Sequence, residues 1–281
     1  MNTEAIRLDP HVTHIRPVRG WLDVDLRELW EYRELLYFLV WRDIKVRYKQ
    51  TVIGVAWAVL QPFFTMVVFT IFFGKLAGIP SNGIPHPIFY YSALLPWLYF
   101  AGALTTATNT LVEHQRVITK VYFPRLLLPV SSTLSGLFDL GIGSTLLLLL
   151  VPLYGVAPRW QLVYLPAFVV LAWLTAVGMG LWLAALNTLY RDVRHAVPFL
   201  VQFWMLVSPV AYPSSLVPPK WQWLYGLNPI AGVIEGFRWA LTGTASPPGP
   251  VLLTSFAGVV LLLVGGLLYF QRMETAITDT V

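Results

Sequence analysis

Four stretches of this sequence, Val52–Phe73, Ile88–Val112, Leu162–Leu186 and Val251–Phe270, each run twenty residues or more without one charged side chain. At 1.5 Å per residue, about 20 apolar residues in a helix cover the ~30 Å hydrocarbon layer of a bilayer. Lipid offers backbone groups no hydrogen-bond partner, so such runs must be helices that satisfy themselves. A fifth run, Leu126–Leu153, contains a single carboxylate, Asp139. A sixth, Ala196–Tyr212, is shorter and holds Pro198 and Pro209, but charge flanks the proline-bearing run on its N-terminal side and follows it at Lys220. With 57% apolar and 12% charged residues, against about 25% charged in soluble domains, lipid must solvate much of the surface. The expectation is an all-α membrane protein with six transmembrane helices, spans at about 52–73, 88–112, 126–153, 162–186, 196–212 and 251–270. A segment 1–51 precedes this 52–270 domain, and a tail, 271–281, follows it.

Lys and Arg resist translocation and set orientation. Fifteen of the nineteen fall in 1–51, 113–125, 187–195 and the tail, leaving Lys75, Arg159, Lys220 and Arg238 on the opposite side of a six-span arrangement. Both termini are therefore expected in the cytoplasm. No secretory signal is expected, because about fifty mixed polar residues precede the first apolar run. The net charge of +5 reflects topology rather than nucleic-acid binding.

Residues Leu26–Tyr48 read as one amphipathic helix. Leu26, Leu29, Trp30, Tyr37, Val40, Trp41, Ile44 and Tyr48 recur near the helical period, with Arg33 breaking the stripe and Asp43 and Arg47 forming an i,i+4 pair. Such a helix lies along a bilayer surface, its tryptophans at headgroup level. Residues Pro213–Pro250 are too broken by proline to cross and too apolar for a solvated loop. Two short helices fit, either interfacial or re-entrant and packed on protein.

Soluble-enzyme chemistry is missing. The sequence has no GxxxxGK[ST] loop to cradle ATP phosphates, no GxSxG and no HExxH. With no cysteine there is no disulfide, thiolate metal site or thiol nucleophile, and the five histidines (His11, His14, His86, His114, His195) are scattered. Asp139 is the one acid well inside a span and should face protein or water. Ser135 and Gly143 one turn either side suggest a helix-packing face. Aromatics gather in the second span (Trp97, Tyr99, Phe100) and the fifth (Phe199, Phe203, Trp204, Tyr212). They suit stacking on the apolar faces of sugars, and equally an interfacial aromatic belt.

Four stretches carry a resemblance: RDIKVRYKQTVIGVAWAVLQP (Arg42–Pro62), VITKVYFPRLLLPV (Val117–Val130), RDVRHAVPFLVQFWMLVSPVAYP (Arg191–Pro213) and LNPIAGVIEGFRWALTG (Leu227–Gly243). In this order and spacing the chain resembles the permease family of ABC transporters that export lipid-linked polysaccharides such as O-antigen, capsule and teichoic acid. The resemblance implies a homodimer with a channel between subunits and two copies of a separate cytoplasmic ATPase, which would hold ATP and its magnesium; this chain would carry no cofactor and no metal. It makes Leu26–Tyr48 an interface helix clasping the ATPase, with Trp30, Arg33, Trp41 and Arg42 in it. Glu113–Pro124 becomes a coupling helix, with His114, Arg116, Lys120 and Tyr122 facing the ATPase, and Arg191, Asp192 and Arg194 form a second contact. The helices within 214–243 become a gate at the outer mouth, carrying Trp221, Trp223, Arg238 and Trp239. The channel aromatics become the glycan path, and Arg42, Lys45, Arg47 and Lys49 stand where a lipid pyrophosphate would arrive, though positive-inside topology also places them there. Two rivals remain open at this point: a proton-coupled secondary transporter or channel using Asp139, and a membrane-embedded glycan-modifying enzyme.

Overall fold

A computed structural model describes residues 26–49, 51, 53–157, 159–243 and 249–280, with side chains described from 29 to 273. His11, His14 and the rest of 1–25, and Val52 at the start of the first predicted span, lie outside the described residues. Among the described residues all regular structure is helical. In chain order the helices are α1 (Leu26–Glu31), α2 (Arg33–Lys49), α3 (Trp57–Phe69), α4 (His86–Glu113), α5 (Gln115–Ile118), α6 (Leu127–Leu153), α7 (Leu165–Leu189), α8 (Val193–Val207), α9 (Pro219–Tyr225), α10 (Pro229–Thr242) and α11 (Gly249–Thr280). A 3₁₀ turn, Gly54–Ala56, leads into α3, which runs on as a π-helical stretch, Thr70–Leu76; another 3₁₀ turn, Trp160–Tyr164, leads into α7.

Among the described residues, five helical stretches are long and apolar enough to cross a membrane: Gly54–Leu76, His86–Glu113, Leu127–Leu153, Trp160–Leu189 and Gly249–Met273. They match the four uncharged runs and the run holding Asp139 to within a few residues. The predicted span 196–212 differs. Its helix, α8, has fifteen residues, about 22 Å of rise. It stops because Ser208 precedes Pro209 and is driven to extended backbone, with ψ 154°.

The core is built on α4, whose buried face carries Ile88, Phe89, Tyr90, Tyr91, Leu94 and Phe100. Its polar end is made compatible with apolar surroundings by side chains that bond back to their own helix. Thr105 Oγ1 donates to Ala101 O (2.9 Å), Thr108 Oγ1 to Leu104 O (2.7 Å) and Asn109 Nδ2 to Thr105 O (3.1 Å). Against α4 pack α3, α6, α7, α8 and α10. The expected packing role of Gly143 is observed: Tyr91 Oη donates to its carbonyl (3.2 Å), and a Cβ there would stand 2.5 Å from Leu95 Cδ2.

Helices α7 and α11 approach even more closely. A Cβ on Gly178 would stand 2.9 Å from the Leu263 nitrogen, and one on Gly266 only 2.5 Å from the Gly178 carbonyl oxygen. Small residues let backbones touch, and touching backbones gain dispersion contacts that lipid cannot replace. Trp182 seals the seam, donating Nε1–H to Leu262 O (3.2 Å) and stacking on Tyr269 with centroids 4.7 Å apart.

The broken stretch before α11 resolves into two unlike helices. α9 is exposed, with Trp221 and Trp223 open. α10 is buried against α4, α7 and α11. It is capped by Asn228, whose side chain accepts from Ile230 N, begins with Pro229, and ends at Gly243 in the left-handed region. Of the two placements expected from sequence, packing on protein describes α10.

At the end of the bundle where α4 finishes and α6 begins, α2 lies against α6. The single helix expected over Leu26–Tyr48 is interrupted by a turn at Tyr32. The aromatic stripe is open, with Trp30, Tyr37 and Trp41 exposed, while Leu39 inserts among Leu111, Phe123, Leu127 and Leu128. The expected Asp43–Arg47 pair is replaced. Asp43 accepts from Arg42 (2.8 Å), and Arg47 turns to Asp139, the carboxylate of an otherwise uncharged helix.

Candidate translocation surface

Asp139 sits twelve residues beyond the start of α6, and the partners that sequence did not reveal both come from α2. Arg47 Nη1 donates to Asp139 Oδ2, and Tyr48 Oη donates to Oδ1. Arg47 Nη2 also reaches Ser135 Oγ at 3.4 Å, and the Tyr48 ring lies 6.0 Å from Phe138. Burial, and next the bond to Asp139, push the Tyr48 hydroxyl up to about 12, so at neutral pH it stays a donor. Beside this cluster opens a cavity of about 580 Å³ between α3 and α8, its walls including Trp57, Gln61, Tyr99, Thr105, Gly136 and Pro198. Aromatic faces beside amide and hydroxyl groups make this a surface that can stack on and hydrogen-bond a polyhydroxylated chain.

The aromatics singled out from sequence divide into three groups. Trp97, Tyr99 and Phe100 are buried in the core, where Phe100 packs edge-on to Trp204 (5.3 Å) and Tyr99 alone of the three borders the cavity. Phe199 and Phe203 lie 4.7 Å apart on the open face of α8, which is held to the bundle through Val197 and Val201. Tyr212 pairs with Tyr225, accepting its hydroxyl hydrogen at 3.3 Å. Trp204 is also a structural anchor, donating Nε1–H to Asn228 Oδ1 (3.0 Å), while Asn228 Nδ2 donates to Ser208 Oγ (2.9 Å). It thereby ties the end of α8 to the cap of α10.

Of the basic-end residues, Arg116, Lys120 and Tyr122 are exposed around α5, and Arg191, Asp192 and Arg194 are exposed before and at the start of α8. His114 is turned inward. Its Nδ1 bonds to the Thr110 carbonyl (2.8 Å), which can only accept, so Nδ1 carries the proton and Nε2 accepts from Arg42 Nη2 at 2.6 Å. Around α2, Arg42 and Arg47 already hold carboxylates, whereas Lys45 and Lys49 are exposed and Lys45 stands 5.9 Å over Trp41. The four basic residues do not converge on one point.

At the opposite end, Arg238 is buried. Its Nη1 donates to Glu235 Oε1 (2.9 Å) and its Nη2 to Pro209 O (2.9 Å), with the guanidinium 3.7 Å over the Phe89 ring. Glu235 also accepts from Ser214 N (3.0 Å). Burial pulls the Arg238 pKa down and the Glu235 charge opposes it. Trp239 packs on Tyr164 and Phe168. Sequence reading passed over Trp57, Gln61 and Tyr48 as site residues. The one signal was that a lone intramembrane acid demands a cation, and the basic helix end at Arg42–Lys49 is a place to look for it. No group of metal-binding side chains occurs among the described residues.

Residues 34–242 match the family of ABC-2 type transporters. The chain is 29% identical over 253 residues to the O-antigen export system permease protein RfbA of Myxococcus xanthus, covering 89% of this chain and 96% of that one. To the protein of the same name from Klebsiella pneumoniae it is 27% identical over 247 residues, 86% of this chain and 92% of the other. To the polysialic acid transport protein KpsM of Escherichia coli it is 23% identical over 245 residues, 85% and 93% of the two chains.

Proposed function

The chain belongs to the ABC-2 type transporter family, and from that membership we propose that it is the membrane-spanning subunit of an ATP-driven exporter that moves a lipid-linked polysaccharide out of the cytoplasm. The observation that carries this is the near end-to-end similarity to permeases of O-antigen export. A chain lacking a phosphate-cradling loop must draw ATP hydrolysis from a partner, which would hold ATP and magnesium. Two permease copies and two ATPase copies make the working unit in this reading.

Six crossings place both termini in the cytoplasm and the chain in the inner or plasma membrane, an orientation supported by the Lys and Arg asymmetry. The fifth crossing is α8 extended by Ser208–Tyr212. In favour of it, α8 starts near the basic end and its C-terminal neighbour Pro209 meets Arg238 of α10 at the other. Exposed Arg116, Lys120 and Tyr122, with Arg191, Asp192 and Arg194, contact the ATPase, and α1–α2 forms the interface helix. The cavity between α3 and α8, faced by a second copy, becomes half of a channel whose wall includes Phe199 and Phe203. α9 and α10 flank its outer mouth. Closure of the ATPase pair on ATP favours one channel width over another through its differential affinity for the two states. The pairing of Asp139 with Arg47 favours a structural role for that acid over proton coupling.

The test is to purify the chain with its ATPase in lipid and measure ATP hydrolysis with and without added glycan lipid. Hydrolysis that needs this chain and rises with glycan lipid is expected. Failure of any ATPase to co-purify, or hydrolysis indifferent to the chain, removes the assignment.

A further inference from the structure

The cavity between α3 and α8 has a neighbour. A second cavity, about 510 Å³, lies under α2 beside the end of α4 and the start of α6, lined by Arg42, Asp43, Val46, Glu113, His114 and Ser132 among others. The two share Arg47 and Thr106. Arg47 faces both ways across that boundary. Its Nη1 holds Asp139, which lines the larger cavity, and its Nη2 reaches Ser135, which lines the smaller. Tyr48 holds the second carboxylate oxygen, so α2 grips both oxygens of Asp139.

We propose that Arg47, Tyr48 and Asp139 form a polar latch that separates the two cavities, and that a shift of α2 against α6 opens it and joins them into one passage from the basic end to the groove beside α8. The latch is built to release. The Arg47 and Asp139 side chains are 33% and 32% exposed, so each can be hydrated once parted, and a pair in that setting holds only weakly. Its walls are ready for the joined state. Thr105, Thr106, Thr110, Ser132 and Ser135 line the two cavities with hydroxyls, and Thr105, Thr106, Ser132 and Ser135 also donate to carbonyls of their own helices. Leu39, about two helix turns before Arg47, is buried in the apolar cluster with Leu127 and Leu128 and supplies a pivot. The exporter reading above supplies what would enter the passage: a hydroxyl-rich chain on an anionic lipid head.

The absence of cysteine from the sequence makes the test clean. Single cysteines are placed at Thr105, on the larger cavity only, and at Val46, on the smaller only, in inverted vesicles holding the whole transporter. Both are reacted with a membrane-impermeant thiosulfonate. In the Asp139→Asn background the Thr105→Cys site should react up to about fivefold faster, the factor that loss of a partly exposed ion pair predicts, while Val46→Cys is unchanged. The charge swap Arg47→Asp with Asp139→Arg should restore slow reaction. If Asp139→Asn disturbs the fold, seen as an altered Val46→Cys rate, Arg47→Gln takes its place with the same expectation. Equal Thr105→Cys rates with and without the pair, or a swap that does not slow them, overturn the latch. Labelling needs no export, so a latch that responds in a transporter indifferent to glycan lipid leaves the latch standing and removes the exporter reading instead.

Discussion

The two ends of the bundle each hold an Arg–carboxylate pair, and the pairs are opposites. Arg238–Glu235 is sealed, at 2% and 11% exposure, bridging α10 to the end of α8 and the start of α4. Arg47–Asp139 is one-third open and joins α2 to α6 beside two cavities. Taking two charges fully from water is expensive, and the attraction between them repays this only with good geometry and further bonds. Arg238 has those in Pro209 O and the Phe89 ring. The sealed pair is therefore a rivet whose loss leaves a stranded charge, and the open pair is a contact that water can replace.

The contrast breaks most visibly at the rivet. Arg238→Gln leaves Glu235 without its cation and should destabilise the purified protein by about 3–5 kcal/mol, read as a lowered melting transition in detergent; a loss no greater than that of Arg47→Gln would erase the distinction. A smaller effect is expected from Gly236→Ala on the same buried helix. Its Cβ would stand 2.1 Å from the Phe168 ring, and forcing the ring aside should cost about 1–3 kcal/mol by the same measurement. The open pair gives the smallest change. Asp139→Asn should lower stability by less than about 1 kcal/mol, and a loss comparable to that of Arg238→Gln would mean that Asp139 is as sealed as Glu235.

What sequence could tell follows from the range of the interactions. Long apolar runs are local signals, and five of them, four without any charge and one with Asp139 alone, became membrane-length helices near the expected bounds. Pro209 was visible, and so was the shortness of the fifth run, but the direct stop came from what Pro209 does to Ser208. Sequence left α10 open between an interfacial and a protein-packed place, because Phe89 and Pro209, which enclose Arg238, are distant from it in the chain. The partners of Asp139 lie 92 and 91 residues away, at Arg47 and Tyr48, beyond any helical period. The aromatic path was half legible. Sequence cannot tell the ring of Phe203, open to the surroundings, from that of Phe100, enclosed by Trp97 and Trp204.

The glycine seam between α7 and α11 limits how such a molecule can move. Side chains between two helices act as a compressible cushion: they change rotamer and let one helix slip past the other. Where Gly266 faces the Gly178 carbonyl there is no cushion, and a small slip would drive main chain into main chain. The pair is a girder with no stroke of its own. Displacement during a transport cycle falls instead to helices that hold by side chains alone, α2 through Leu39 and Arg47, and α8 through Val197 and Val201.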